Sequence, residues 1–225
     1  MKWLASIFAV GLAGGLWAAE KIDLAKGREH WAFQPVNRPE LPAVNAEDWP
    51  QNGIDHFILA RLEKAGLQPA PKATPRNLRR RIHYALTGLP PSGENDNPNS
   101  LITKLLATPQ YGERWARHWL DVVRYADSNG LDENAAHANA WRYRDYVVRA
   151  FNADKPYDQF LIEQIAGDRL TTKDEARRRE LFIATGYLSL GPKVLAEPDK
   201  VKMEMDIIDE QIDTLGKSLL GLKLG

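Results

Sequence analysis

The sequence predicts an all-α protein, an irregular multi-helix domain entered by an extended N-terminal arm. Three observations predict it. Apolar residues recur at helical spacing in most segments between 52 and 222, capping residues or prolines open many of those segments, and no stretch of useful length alternates apolar with polar residues.

The first residues read as a signal peptide over 1–19. Met1 and Lys2 give a positive start, Trp3 to Leu16 is apolar, and Trp17-Ala18-Ala19 before Glu20 forms a small-residue junction. A buried N-terminal helix is the plainer alternative. The stretch is shorter than the ~20 apolar residues a bilayer span requires. The expectation is export to the periplasm or cell surface, with no integral membrane segment left after cleavage. Residues 20–50 carry Pro35, Pro39, Pro42 and Pro50 among charged side chains, which favours an extended arm made sticky by His30, Trp31 and Phe33.

The helical domain is expected over 51–225. Asn52 caps a helix carrying Ile54, Phe57, Ile58 and Leu62 and ending at Gly66. Thr74 followed by Pro75 opens the next, with Leu78, Ile82 and Leu86, before Pro90-Pro91. Ser92 to Ser100 is a polar surface loop, and Leu101 to Ala107 a short helix. Pro109 introduces a helix over Gly112 to Ala126, whose Trp115 and Trp119, one turn apart, read as a core seam. Asn129 to Asn139 is a loop; Trp141 to Phe151, Tyr157 to Ile165 and Lys173 to Leu188 are further helices. Asp199 to Leu222 is a long amphipathic helix with an apolar stripe of Ile208, Ile212, Leu215, Leu219 and Leu222.

Composition narrows the function classes. With 44% hydrophobic residues, 27% charged residues and a formal net charge of zero, the chain is globular and lacks the basic footprint that nucleic acid demands. It contains no cysteine, which excludes disulfides, thiolate metal sites and thiol nucleophiles. The five histidines include no i, i+4 pair, so no metal site is expected. There is no Walker loop, nucleophile elbow or dinucleotide fingerprint, and no catalytic constellation stands out.

Two groups of residues carry candidate binding chemistry. Asp127, Asn129, Asp132 and Glu133 gather oxygen atoms in one turn, as a calcium or sugar-hydroxyl site would, although Gly130 stands fourth where an EF-hand places glycine sixth. A solvated, self-capped loop is the plainer reading. Trp141, Arg142 and Arg144 could hold an anionic or sugar ligand by stacking and ion pairing, or simply form surface ion pairs between helices. His118 is otherwise a hydrogen-bonded core histidine, and Met203 and Met205 are otherwise core filler.

Read in order, His30–Val36, Trp49–Leu62, Leu86–Pro91, Tyr111–Asp121, Arg124–Gly130, Asn139–Tyr146 and Phe151–Phe160 form a longer pattern. It resembles the cytochrome-c-associated domain of unknown function found in large exported planctomycete-type proteins. The resemblance implies an exported helical domain of a longer chain, carrying a c-type haem module and a second domain of unknown function. In that family a segment similar to Asp213–Gly225 runs into Cys-x-x-Cys-His, and this sequence reaches Gly225 just before that motif. The family's haem-attaching residues therefore match no position here. No haem is covalently bound by this chain, and a c-type haem is expected only in a longer form of which this would be a fragment. Two function classes follow. One is a redox-associated module in contact with downstream domains or a redox partner, with His118, Met203 and Met205 as axial-ligand candidates. The other is an extracellular carbohydrate- or protein-binding module without haem, using the 127–134 loop and the Trp141 cluster.

Overall fold

A computed structural model describes residues 23–91, 93, 97–131 and 133–223, so the expected leader and Asp132 lie outside the described residues. The protein is all-α. Among the described residues there are nine α-helices and no strand, with one isolated antiparallel bridge between Ser128 and Ala136. No described helix is long and apolar enough to cross a membrane. The chain divides into two compact units, residues 1–71 and 72–225.

In the first unit, α1 (Leu24–Arg28) forms where extended chain was expected. Residues 24–33 contain no proline, and the Asp23 carboxylate accepts from the amides of Ala25 and Lys26 at 3.0 and 3.1 Å, capping the turn. A 3-10 turn follows at Trp31–Phe33, and the arm is extended beyond it. Trp31 and Phe33 are exposed. Helix α2 (Gly53–Lys64) is capped reciprocally: the Asn52 side chain accepts from Ile54 N, and Asp55 accepts from Gln51 N. Its buried residue is Leu59, whereas Ile54, Phe57 and Ile58 are exposed. Near its end, the Glu63 carboxylate accepts from the backbone amides of Asn45 and Ala46, pinning the arm to the helix.

The second unit holds α3 (Pro75–Leu86), α4 (Pro98–Leu106), α5 (Pro109–Val122), α6 (Ala140–Asn152), α7 (Tyr157–Ala166), α8 (Glu175–Ala184) and α9 (Lys200–Leu215). Prolines stand at the first turn of α3, α4 and α5. Helix α4 starts earlier than expected, because the Asn97 side chain accepts from Ser100 N and Pro98 fits the first position. Helices α5 and α6 run antiparallel. Asn152 at the end of α6 accepts from Gly112 N at 2.8 Å and donates to Pro109 O, while Trp119 meets Tyr143 farther along.

The core centres on Ala116, Trp119, Leu120, Val123, Tyr143, Tyr146, Val147, Phe160 and Tyr187. Trp119 stacks on Tyr187 at 6.0 Å and meets Phe160 edge-on at 5.1 Å. Its indole N–H donates to Tyr143 Oη and Gln164 Oε1, so three helices share one buried polar junction. Trp115 is not part of this seam; it is exposed and meets His118 edge-on at 5.4 Å.

Helix α8 ends in a 3-10 turn, Thr185–Leu188, and α9 passes into one π-helical turn, Gly216–Leu220. Helix α9 presents an unexpected face inward. Asp213 and Thr214 are buried and Leu215 of the predicted stripe packs against the core, while Ile208 and Ile212 of that stripe, with Val201 and Met205, are exposed. Arg124 explains the orientation: it donates to the Glu210 carboxylate, to Glu210 O at 2.8 Å and to Thr214 Oγ1 at 2.6 Å.

Candidate functional site

The chain between α5 and α6 concentrates unusual backbone. Arg124, Leu131 and Asn134 adopt left-handed conformations with φ of 55°, 56° and 42°, in addition to Gly130. Non-glycine residues seldom do so, and such positions persist where the surroundings over-determine them.

Here the surroundings are hydrogen bonds. Asn129 is fully buried; its amide donates to Lys193 O at 3.0 Å and to Glu133, and its carbonyl accepts from Ala135 N at 2.6 Å. Glu133 also accepts from Ala196 N at 2.8 Å. The loop is thereby stapled to the 193–196 segment, and the oxygens of Asn129 and Glu133 are engaged within the protein rather than displayed. Tyr125 Oη donates to Asp127 at 2.6 Å, and His137 N donates to Asp127 O. Burial, and then the Asp127 carboxylate, push the Tyr125 phenol well above its ordinary range.

Of the α6 candidates, Arg144 hydrogen-bonds its neighbour Asp145 through two nitrogens, which holds its guanidinium above its ordinary value. Its charge works against the upward shift of the Tyr125 phenol. Arg142 lies 4.8 Å over the Trp141 ring and donates to Asn139 Oδ1 at 3.1 Å.

A groove of ≈ 510 Å³ opens between residues 136–143 and 182–190. His137, Asn139 and Arg142 line one wall; Phe182, Thr185 and Ser189 line the other. The hydroxyls of Thr185 and Ser189 donate to backbone carbonyls of their own segment and keep lone pairs to offer. His137 Nε2 is buried with no partner among the described residues, and Phe182 is exposed. The groove thus combines donors, acceptors and an apolar ring. Sequence reasoning named Arg142 but missed His137 and the 182–190 wall, which lies about forty residues away in sequence and carries no motif.

The axial-ligand candidates are dispersed. His118 is exposed against Trp115 on α5, so the core-histidine reading does not describe it. Met203 lines a groove of ≈ 280 Å³ with Leu131, Pro192 and Asp206, while Met205, two residues on, is exposed and projects from another side of α9. Thioether attachment of haem needs cysteines, and the chain has none, so its residues do not fit a covalent haem. Among the described residues no three His, Asp or Glu side chains gather as a metal site would require.

A second polar cluster lies in the core. Glu163 is fully buried; it pairs with Lys155 at 2.6 Å and with Arg177, and accepts from Tyr146 Oη at 2.9 Å. Burial alone would raise its carboxyl, but the bonds from Arg177, Lys155 and Tyr146 prevail and hold it below the usual carboxylate range.

The PSCyt2 family, described as a protein of unknown function (DUF1549), matches residues 53–225, well over half of the chain. The chain belongs to the PSCyt2 family. The match takes in the stapled loop, both walls of the groove and α9, and begins one residue after the Asn52 cap. No curated protein and no solved structure matches the chain.

Proposed function

We propose that this PSCyt2 chain is a ligand-binding module of an exported protein, and that it takes a hydroxyl-rich, acidic ligand such as a uronate-bearing oligosaccharide. The observation that carries the reading is the groove between 136–143 and 182–190, which is lined by Arg142, by the hydroxyl-bearing Thr185 and Ser189 and by the exposed Phe182 ring. A sugar acid offers each of these a counterpart: a carboxylate for arginine, hydroxyls for the polar atoms and a C–H face for the ring. Asn129 and Glu133 serve as the frame that holds the near wall.

Calorimetric titration with oligouronides and with neutral oligosaccharides tests the reading. Uronides should bind, and Arg142→Ala should weaken them at least tenfold while leaving the circular dichroism unchanged. Absence of binding to both ligand sets would remove the reading, as would affinity that ignores Arg142→Ala.

A second reading, association with a c-type haem domain in a longer form, draws support from the outward apolar side of α9. A haem linked elsewhere would then bring its own domain to that helix. Soret absorbance of the longer form, with domain association lost on Ile208→Asp, is its expected signature; a longer form without haem would end it.

A further inference from the structure

A separate cavity of ≈ 200 Å³ lies among the start of α5, the end of α6 and the start of α7. Five aromatic residues line it, Tyr111, Trp119, Phe151, Tyr157 and Phe160, with Asp154 and Lys155 beside them. We propose that this cavity binds the head group of an alkylated ammonium compound, with the aromatic rings as its walls and Asp154 as its counter-ion.

The walls are mainly aromatic rings whose polar atoms are few or already engaged. Trp119 commits its N–H to Tyr143 and Gln164, and the two phenylalanines have no polar atom to offer. Phe160 meets Trp119 at 66° and Phe151 at 67°, while one face of Trp119 is covered by Tyr187 and one face of Phe160 by Tyr146, so each of these two rings has its other face left to offer. Rings disposed around a space in this way present electron-rich faces to a cation, which is how quaternary ammonium groups are held.

Charge points the same way. A free Lys155 would repel a cation, but its ammonium is taken up by Glu163 at 2.6 Å and lies 4.7 Å over the Tyr146 ring. Arg177 and Glu180 complete that cluster, so two cations face two carboxylates and cancel. Asp154 makes no side-chain hydrogen bond or ion pair among the described residues and is exposed at the rim. The uncompensated charge at the cavity is therefore negative.

Size and polarity restrict the ligand further. The volume is below the ~300 Å³ at which pockets for drug-sized ligands begin, which suits a head group with a few carbons. A sugar needs several hydrogen-bonding partners, whereas this cavity supplies one free carboxylate and two phenols. A simple ammonium ion keeps its water; N-methyl groups weaken that hydration and add apolar surface for the rings.

Titration of the full chain with choline, followed by calorimetry and by the indole N–H signals in proton–nitrogen NMR, tests the proposal. Saturable binding is expected, with affinity reduced at least tenfold by Asp154→Asn and by Tyr157→Ala, whose ring is largely exposed. The uncharged analogue 3,3-dimethylbutanol should bind at least tenfold more weakly than choline. Arg142→Ala, in the groove of the proposed sugar site, should leave choline binding intact, which separates failure of one site from failure of the other. No saturation by choline, equal binding of the uncharged analogue, or unchanged affinity in both variants would overturn the assignment. If Asp154→Asn fails to fold, Tyr157→Ala and the analogue decide.

Discussion

Glu163 lies on α7 with no exposed surface and yet carries a charge, balanced by Lys155, Arg177 and the Tyr146 hydroxyl. Removing that charge strips the Lys155 ammonium of its counter-ion and leaves Arg177 with Glu180 alone. Breaking a buried pair in this way costs about 3–5 kcal/mol, so Glu163→Gln should lower stability by that order in urea denaturation at neutral pH. The pH dependence follows from the same bonds. A carboxyl held below its unfolded value binds a proton less readily in the native state, so its stabilisation is present above the ordinary carboxylate range and is lost as pH falls through the folded value. Unfolding midpoints measured from neutral pH into the acid range should fall less steeply in Glu163→Gln than in the parent protein. Nothing in the local sequence marks Glu163, because its partners stand eight, fourteen and seventeen residues away on three different segments.

Helix starts were legible because the chemistry that sets them is local. Asn52, Thr74 and Pro109 each act within three residues of themselves, and all three open helices. The inward faces were not legible. On α9 the predicted stripe divides: Leu215 packs on the core, whereas Ile208 and Ile212 are exposed, because Arg124, 86 residues before Glu210, draws Glu210 and Thr214 inward. Likewise Trp119 is buried and Trp115 is not, because Gln164 and Tyr143 receive only one indole N–H. Ile208→Asn and Ile212→Asn should therefore leave the melting temperature nearly unchanged, within the ~0.5 kcal/mol typical of surface substitutions. A large drop in either would show that the stripe is covered in solution. The crossing of α7 and α8 makes the opposite case. A Cβ at Gly167 would collide with the backbone carbonyl of Leu181, which cannot swing aside as a side chain would. Gly167→Ala should cost about 1–3 kcal/mol by forcing the two helices apart, read as a lowered denaturation midpoint.

At the scale of the whole molecule, the sequence separated an arm over 20–50 from a helical domain over 51–225, and the contacts divide the chain at 71/72, beside Pro69 and Pro71. Prolines also interrupt the chain at 90–91 and at 192, where no such division falls, so they could not identify it alone. The groove was half legible for a related reason: Asn139 and Arg142 fall in one motif, but Thr185 and Ser189, in and just after the turn that ends α8, face them only through the packing of α8 on α6. All the residues of the aromatic core belong to 72–225, and so do the buried ion pairs of Glu163. The PSCyt2 match, in contrast, starts at residue 53 and includes α2. These two boundaries give different expectations for the segment 72–225 produced alone. Since the tightly packed rings of Trp119, Tyr143, Tyr146, Phe160 and Tyr187 are all retained, it should reproduce the near-ultraviolet circular dichroism attributable to that core and unfold cooperatively. Collapse of that signal, restored when the segment begins at residue 53, would show instead that α2 is part of the folding unit.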